Sequence, residues 1–363
     1  MTAFTDAVLP EADFTRTLCL ERKRTERSRR RFVLMLVELG RKVSADQDSM
    51  DKVLATLCQS TRDTDITGWY AEGGVIGVIF TEIGPAEARV IVHALKSRVT
   101  AAMSKTLSSE QIKEIRLSFR VFPEEWGGDG GAGQADTTFY PDLMKERDAR
   151  KGSRALKRSL DILGSLTALV LLVPVYLVIG IAIRLTSRGP ILFSQKRIGQ
   201  YGNPFTFLKF RSMYASNDAT IHKEYVKQLI AGLPEPGITP DGKAKVYKLT
   251  KDPRVTTVGR FLRRTSLDEI PQFWNVLTGD MSLVGPRPPL PYELEAYDVW
   301  HKRRLLDVKP GITGLWQVAA RSRVKFDDMV RLDLRYARTW SLGLDLKILL
   351  KTPGAMFSGD GAH

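Results

Sequence analysis

The sequence predicts an α/β protein of two domains. The first is an N-terminal βαββαβ sandwich of the ferredoxin-like kind; the second is a larger C-terminal α/β domain that meets a membrane. Three observations predict this. Residues 32–123 alternate β-branched runs with helix-spaced runs. A glycine-rich stretch, Glu124–Asp136, then interrupts the chain. Beyond it, Ile162–Ile183 runs 22 residues without a charge.

The 363 residues suffice for two ordinary domains, and a hydrophobic share of 43% supplies their cores. The formal net charge of +14 points to acidic partners: phosphates, anionic lipid or nucleic acid. No basic low-complexity tract or finger spacing supports nucleic acid, which ranks below the other two. The two cysteines, Cys19 and Cys58, form neither a disulfide framework nor a metal pattern and fit a reducing compartment. No signal peptide is expected at the N-terminus.

Residues 1–31 read as disordered or as a charged helix. Phe32–Leu39 is an apolar buried strand, and Met50–Cys58 has helical spacing. Ile66–Ala71 and Val75–Thr81 are strands joined through Glu72-Gly73-Gly74, a turn signal. Glu87–Met103 is an amphipathic helix and Arg116–Phe122 a last strand. This layout, with Gly-Gly at its central hairpin, resembles the diguanylate cyclase (GGDEF) domain over roughly residues 30–123. That family places acidic residues after the glycines, whereas this chain has Val75 and Ile76. The resemblance therefore implies a degenerate, non-catalytic regulatory or dimerisation domain over 32–123, and a homodimer. An unrelated small sandwich is the alternative. Residues 124–150 are expected to be a flexible linker.

The uncharged segment would measure about 33 Å as a straight helix, enough to span a bilayer. Pro174 breaks it in the middle. Both flanks are basic: Lys151, Arg154, Lys157 and Arg158 precede it, and Arg184 and Arg188 follow. The positive-inside rule keeps both ends on one side. A single transmembrane helix and a re-entrant hairpin over about 160–185 both remain open on these grounds.

Gly189–Met213 alternates apolar and basic residues around glycine turns. It brings Lys196, Arg197, Lys209 and Arg211 near the membrane, for contact with head groups or with phosphate. Asn217–Tyr247 reads as a helix and a loop without chemistry. Gly259–Pro288 then carries an acidic pair, Asp268-Glu269, behind Arg263 and Arg264, with Arg287 fixed between two prolines. Carboxylates in a cationic setting suit phosphate handling with a metal ion, and an ionised Asp can attack phosphorus. Ser266-x-x-Glu269 equally reads as a capping box. Lys309–Gln317 is a glycine-turned loop, with Arg321 and Arg323 beyond it. Phe326–Trp340 and Leu344–Lys351 read as amphipathic helices whose leucines, Tyr336 and Trp340 suit either a bilayer interface or a core.

Residues 154–352 resemble the bacterial sugar transferases, the monotopic phosphoglycosyl transferases. The likeness rests on KRSLDI at 157–162, FSQKRIG at 193–199, FLKFRSM at 207–213 and DPRVTTVGRFLRRTSLDEIPQFWNVLTGDMSLVGPRP at 252–288. It continues through KPGITGLWQV at 309–318 and RLDLRYARTWSLGLDLKILLKT at 331–352. Val173 stands where many members have a serine, and QVAAR at 317–321 lacks the usual glycine. The resemblance implies a sugar transferase domain over 151–358, re-entrant at Pro174, with interfacial amphipathic helices. It implies transfer of a sugar-1-phosphate from a UDP-sugar to undecaprenyl phosphate with release of UMP, at the cytoplasmic face of a bacterial inner membrane. The exopolysaccharide and O-antigen branch suggests UDP-glucose or UDP-galactose. Asp268 would be the nucleophile, and Asp268 and Glu269 would hold Mg²⁺. The substrate phosphates would fall to Lys209, Arg211, Arg254, Arg263, Arg264, Arg287, Gln317 and Arg321. A non-catalytic membrane scaffold of a polysaccharide assembly system is the competing reading. An ATP-dependent kinase would need a phosphate loop such as GxxxxGK[ST], and the sequence contains none.

Overall fold

A computed structural model describes residues 8–84, 87–124, 134–214, 230, 254–319 and 325–357. The chain divides into two compact units: Met1–Glu124 with Asp136–Ala149, and Glu125–Ala135 with Arg150–His363.

The first unit holds α1 (Glu11–Ser28), β1 (Phe32–Leu39), α2 (Gln47–Ser60), β2 (Ile66–Ala71), β3 (Val75–Phe80), α3 (Ala88–Thr106), β4 (Ile115–Phe122) and α4 (Pro141–Ala149). Its sheet runs β2-β3-β1-β4, antiparallel throughout. Phe32–Val37 of β1 are all buried, as a central strand covered on both faces requires. Val33, Met35 and Val37 share one core with Val53 and Leu57 of α2 and Val99 and Met103 of α3. On the other face, Phe14 of α1 fills the space that Gly68 and Gly77 leave. The N-terminal stretch is thus a charged helix with an apolar stripe; residues 1–7 lie outside the described residues.

The expected linker is shorter than 124–150. Its glycines end at 133, and residues 125–133 lie outside the described residues. After them Phe139 packs at 5.9 Å from Phe32 and 5.2 Å from Phe122, and Arg22 meets Asp142 at 2.6 Å. Burying an aromatic side chain outweighs the polarity of the segment, so 136–149 folds onto the first unit.

The second unit begins with α5 (Lys151–Leu171) and α6 (Val173–Thr186), bent by 59° at the break before Pro174. Proline removes the hydrogen bond that would carry the helix through. Among the described residues no single helix is long and apolar enough to cross a membrane; this bent pair meets that test only together. Ile179 and Ile183 of α6 pack on Phe210, Leu262 and Ile270. The opposite side exposes Leu177, Val178, Ile181 and Leu185, and α5 exposes Leu163, Leu166 and Val170. Polar bonds seat α5: Arg158 donates to the carbonyls of Val276 (2.6 Å) and Leu277 (2.8 Å), and buried Asp161 accepts from Ser282 Oγ and Leu283 N.

A hairpin of β5 (Leu192–Ile198) and β6 (Pro204–Phe210) follows, then α7 (Thr257–Arg264) and α8 (Gln272–Thr278). The 309–317 loop of the sequence reading is more ordered than expected. It forms β8 (Gly311–Thr313), parallel to β7 (Ser282–Val284), and opens α9 (Leu315–Ala319). The chain closes with α10 (Phe326–Thr339) and α11 (Leu342–Phe357). Tyr336 and Trp340 belong to the core, at 1% and 9% exposure, and donate to Asp345. A buried carboxylate acceptor, which no periodicity reveals, decides against the bilayer for these two rings. Leu346 and Leu350 of α11 are exposed.

His301 caps the short helix Val299–Lys302. Its Nδ1 accepts from Asp298 N at 3.0 Å, so the proton of the neutral ring sits on Nε2, which faces Asp327 at 3.2 Å. Burial holds its pKa below the ordinary 6.5, against Asp327 and Asp298 and with Arg304. The unfolded chain therefore protonates first as pH falls. The stability His301 contributes is present above about pH 6.5 and is lost as pH drops through the folded value. Melting of the detergent-solubilised chain should shift downward on acidification below about pH 6.5, and His301→Gln should flatten that slope. An unchanged slope in the variant would assign the effect elsewhere.

Candidate active site

The site is built on one face of the β5–β6 hairpin. Directly opposed residues of an antiparallel pair share a face, and the register sets Phe193 against Lys209, Gln195 against Phe207 and Arg197 against Phe205. Lys209 Nζ and the Arg197 guanidinium lie 5.6 and 5.0 Å from the Phe207 ring. Cations and aromatics thus alternate along this face.

The acidic pair reaches that face through α7. Thr256 caps the helix by accepting from Gly259 N at 2.9 Å. A Cβ at Gly259 would stand 2.0 Å from the Ser212 carbonyl oxygen, so only glycine lets α7 approach the chain after β6 this closely. Two residues beyond the end of the helix, Ser266 has a left-handed φ of 55°. That conformation costs a non-glycine residue about 1–2 kcal/mol. It turns the chain into the one-turn segment Leu267–Glu269, and the Ser266 side chain makes no cap bond. The capping-box reading therefore fails, and the turn instead drives both carboxylates onto the hairpin.

Lys209 Nζ stands 2.6 Å from Glu269 Oε1 and 3.6 Å from Asp268 Oδ2. Asp268 is 6% exposed. Burial raises its pKa from the ordinary aspartate value, Lys209 and Arg263 pulling against it and the Glu269 charge adding to it. Burial acts on Glu269 too, but Lys209 and Arg287, with Arg197, outweigh it and hold Glu269 low. Neighbouring carboxylates pushed in opposite directions are the usual mark of divided chemical roles.

Arg263 donates from Nε to Ser212 Oγ at 2.9 Å and acts on Asp268. Arg287 acts on Glu269 and on Arg197. Of the residues expected to bind phosphate, Lys209, Arg263 and Arg287 are thus brought to the pair. Arg211 is not: its guanidinium is buried and donates to the Ser187 and Arg188 carbonyls at 2.8 and 3.0 Å, closing the C-terminal end of α6. Arg264 is exposed at the end of α7, with no contact to the pair among the described residues. Gln317 donates weakly to the Ile312 carbonyl at 3.4 Å, and its Oε1 is buried without a partner. Arg254 is half-buried beside the Met213–Val255 bridge, its carbonyl accepting from Tyr214 N. Arg321 lies outside the described residues.

Arg197, expected to meet head groups or phosphate, and Asn275, which the sequence left without a role, complete the site. Arg197 is 5% exposed and donates to the Pro288 carbonyl at 2.7 Å, while the next residue, Ile198, donates its N–H to the Pro289 carbonyl. Burial and the neighbouring Arg287 push its pKa down to about 10. It holds the Pro286-Arg287-Pro288 segment against the hairpin. Asn275 of α8 donates to Thr206 O at 2.8 Å and accepts from Leu208 N at 3.1 Å, docking the helix on the free edge of β6. An amide within the otherwise apolar FWNVL run was its visible signal.

The cluster is richer in cations than in carboxylates, as a site for several phosphates must be. Among the described residues no group of three or more His, Cys, Asp or Glu side chains could cage a metal. Mg²⁺ is ordinarily held by one or two carboxylates together with substrate phosphates, so Asp268 and Glu269 fit it in that mode.

The family model described as bacterial sugar transferase matches residues 152–359. The chain is 42% identical over 217 residues to the undecaprenyl-phosphate galactose phosphotransferase of Salmonella typhimurium, covering 59% of this chain and 43% of that protein. It is 39% identical over 223 residues to the UDP-glucose:undecaprenyl-phosphate glucose-1-phosphate transferase of Escherichia coli, 58% and 42% of the two chains. With exopolysaccharide production protein ExoY of Rhizobium meliloti it shares 38% identity over 213 residues, 57% of this chain and 88% of ExoY. The match thus spans less than half the length of the first two of these relatives.

Proposed function

The chain belongs to the bacterial sugar transferase family, and we propose that it transfers a sugar-1-phosphate from a UDP-sugar to undecaprenyl phosphate. The single observation that carries this reading is Lys209 seated between the Asp268 and Glu269 carboxylates, with Arg197, Arg263 and Arg287 around them.

Asp268, the less firmly paired carboxylate, attacks the β-phosphorus of the UDP-sugar. An Asp268 oxygen–phosphorus bond forms, and the bond to the oxygen bridging the two phosphates breaks. UMP leaves with the electron pair. An oxygen of undecaprenyl phosphate then attacks the same phosphorus and releases the Asp268 carboxylate, leaving a sugar diphospholipid. Lys209 and Glu269 keep each other placed, Arg263 and Arg287 offset charge on the phosphoryl oxygens, and Arg197 holds Arg287. Mg²⁺, held by Asp268 and Glu269, would supply further charge neutralisation at those oxygens.

The 59° bend between α5 and α6, together with the basic residues that flank the pair in sequence, supports re-entrant insertion from the cytoplasmic face of a bacterial inner membrane. The sheet order β2-β3-β1-β4 fits a ferredoxin-like sandwich. Val75 and Ile76 follow Gly73-Gly74 directly at the start of β3, which supports a regulatory rather than a catalytic N-terminal domain.

The reading is tested by UMP release from a panel of UDP-sugars in purified membranes with Mg²⁺ and undecaprenyl phosphate. Release with UDP-glucose or UDP-galactose that depends on the lipid is expected. Silence with every donor would favour a non-catalytic scaffold.

A further inference from the structure

We infer that the start of β5, with Phe193 at its centre, is the docking surface for the apolar tail of the lipid-phosphate acceptor. The inference rests on the reaction proposed above and deepens it.

Ile191, Leu192 and Phe193 are consecutive and all exposed, at 38%, 42% and 47%. Successive side chains of a strand point to opposite faces, so a strand end apolar on both sides is covered by neither hairpin face. Its place along α6 is fixed by Ile191, whose Cδ1 would lie 3.5 Å from a Cβ at Gly180. Gly180 precedes Arg184 by four residues, about 6 Å of helix rise. After α6 ends in its basic residues, the chain therefore turns back to the level of the helix's apolar stretch. There Phe193 stands directly opposite Lys209, on the same face of the hairpin. Lys209 Nζ in turn holds Glu269 at 2.6 Å.

An acceptor with a charged phosphate and a long hydrocarbon tail requires this continuity: a cationic end beside the nucleophile and an apolar end leading away from it. Phe193 supplies the apolar end one cross-strand position from the cation. Its surface commits to the acceptor's tail rather than to bulk lipid because it is paired across the hairpin with the lysine that holds the carboxylates.

The test uses the full chain in nanodiscs, with undecaprenyl phosphate and geranyl phosphate as long and short acceptors. Phe193→Ser should raise the KM for undecaprenyl phosphate about tenfold relative to the KM for the UDP-sugar, the scale of a lost apolar contact. Geranyl phosphate should be affected less, and Phe193→Leu should restore most of the difference. An unshifted acceptor KM, or equal losses for both acceptors, overturns the assignment. So does a Phe193→Ser defect confined to vesicle flotation, which would give the patch to the bilayer. A wild-type chain that releases no Asp268-dependent UMP overturns the reaction itself, whereas turnover with an unshifted KM overturns the surface alone.

Discussion

Asp268→Asn should abolish sugar-phosphate transfer while the chain stays with the membrane fraction. The amide matches the carboxylate in shape but cannot form the phosphoryl bond, so the loss should be roughly 10³-fold or more, as for other removed nucleophiles. The fold should tolerate the change. Asp268 is buried and its ionised form is already disfavoured there, so a neutral side chain carries less desolvation cost. Lys209 keeps Glu269 at 2.6 Å in the variant, which preserves the local charge balance. UMP release and membrane flotation measured on one preparation decide the matter. Turnover retained within tenfold of wild type would remove Asp268 as the nucleophile.

Asp345→Ala should strongly destabilise the second unit. The carboxylate accepts from Lys157 Nζ and Tyr336 OH, both at 2.6 Å, and from Trp340 Nε1 at 3.1 Å. Its removal leaves Lys157, with a side chain only 16% exposed, without its counter-charge. Breaking a buried ion pair from one side costs about 3–5 kcal/mol. For a unit of this size that corresponds to a fall in melting temperature of roughly 6–20 °C. Adding Lys157→Met should recover part of the loss, because an apolar side chain leaves no orphaned charge. A melting temperature within about 2 °C of wild type would show that the hub is solvated.

The strands and longer helices between Phe32 and Phe122 were legible because their signals are local, whereas the helix Pro141–Ala149 was not. Six consecutive buried residues made β1, and the spacing of Val53, Leu54 and Leu57 made α2. The acidic pair and its cationic company were legible too, since Arg263, Asp268, Glu269 and Arg287 lie within one short stretch. What the sequence hid are contacts between distant positions. Asn275 meets residues 206 and 208, Arg197 meets Pro288 and Lys157 meets Asp345, and no periodicity encodes such pairings. The case of Arg211 has the same cause. A guanidinium in a basic motif reads as a phosphate ligand, yet helix-end carbonyls compete for the same donors and hold them here. Tyr336 and Trp340 looked equally fit for lipid or core, and only the position of Asp345 decided between them.

The tie between Lys157 and Asp345 also sets a clock on synthesis. The two residues are 188 positions apart. At about 5–20 residues per second, Lys157 leaves the ribosome roughly 10–40 s before its counter-ion exists. For most of that interval the apolar residues behind it are already made, while the ammonium still lacks the carboxylate that neutralises it. The nascent chain therefore carries a temporary float at the N-terminal end of α5, released only when the last helix arrives to neutralise it.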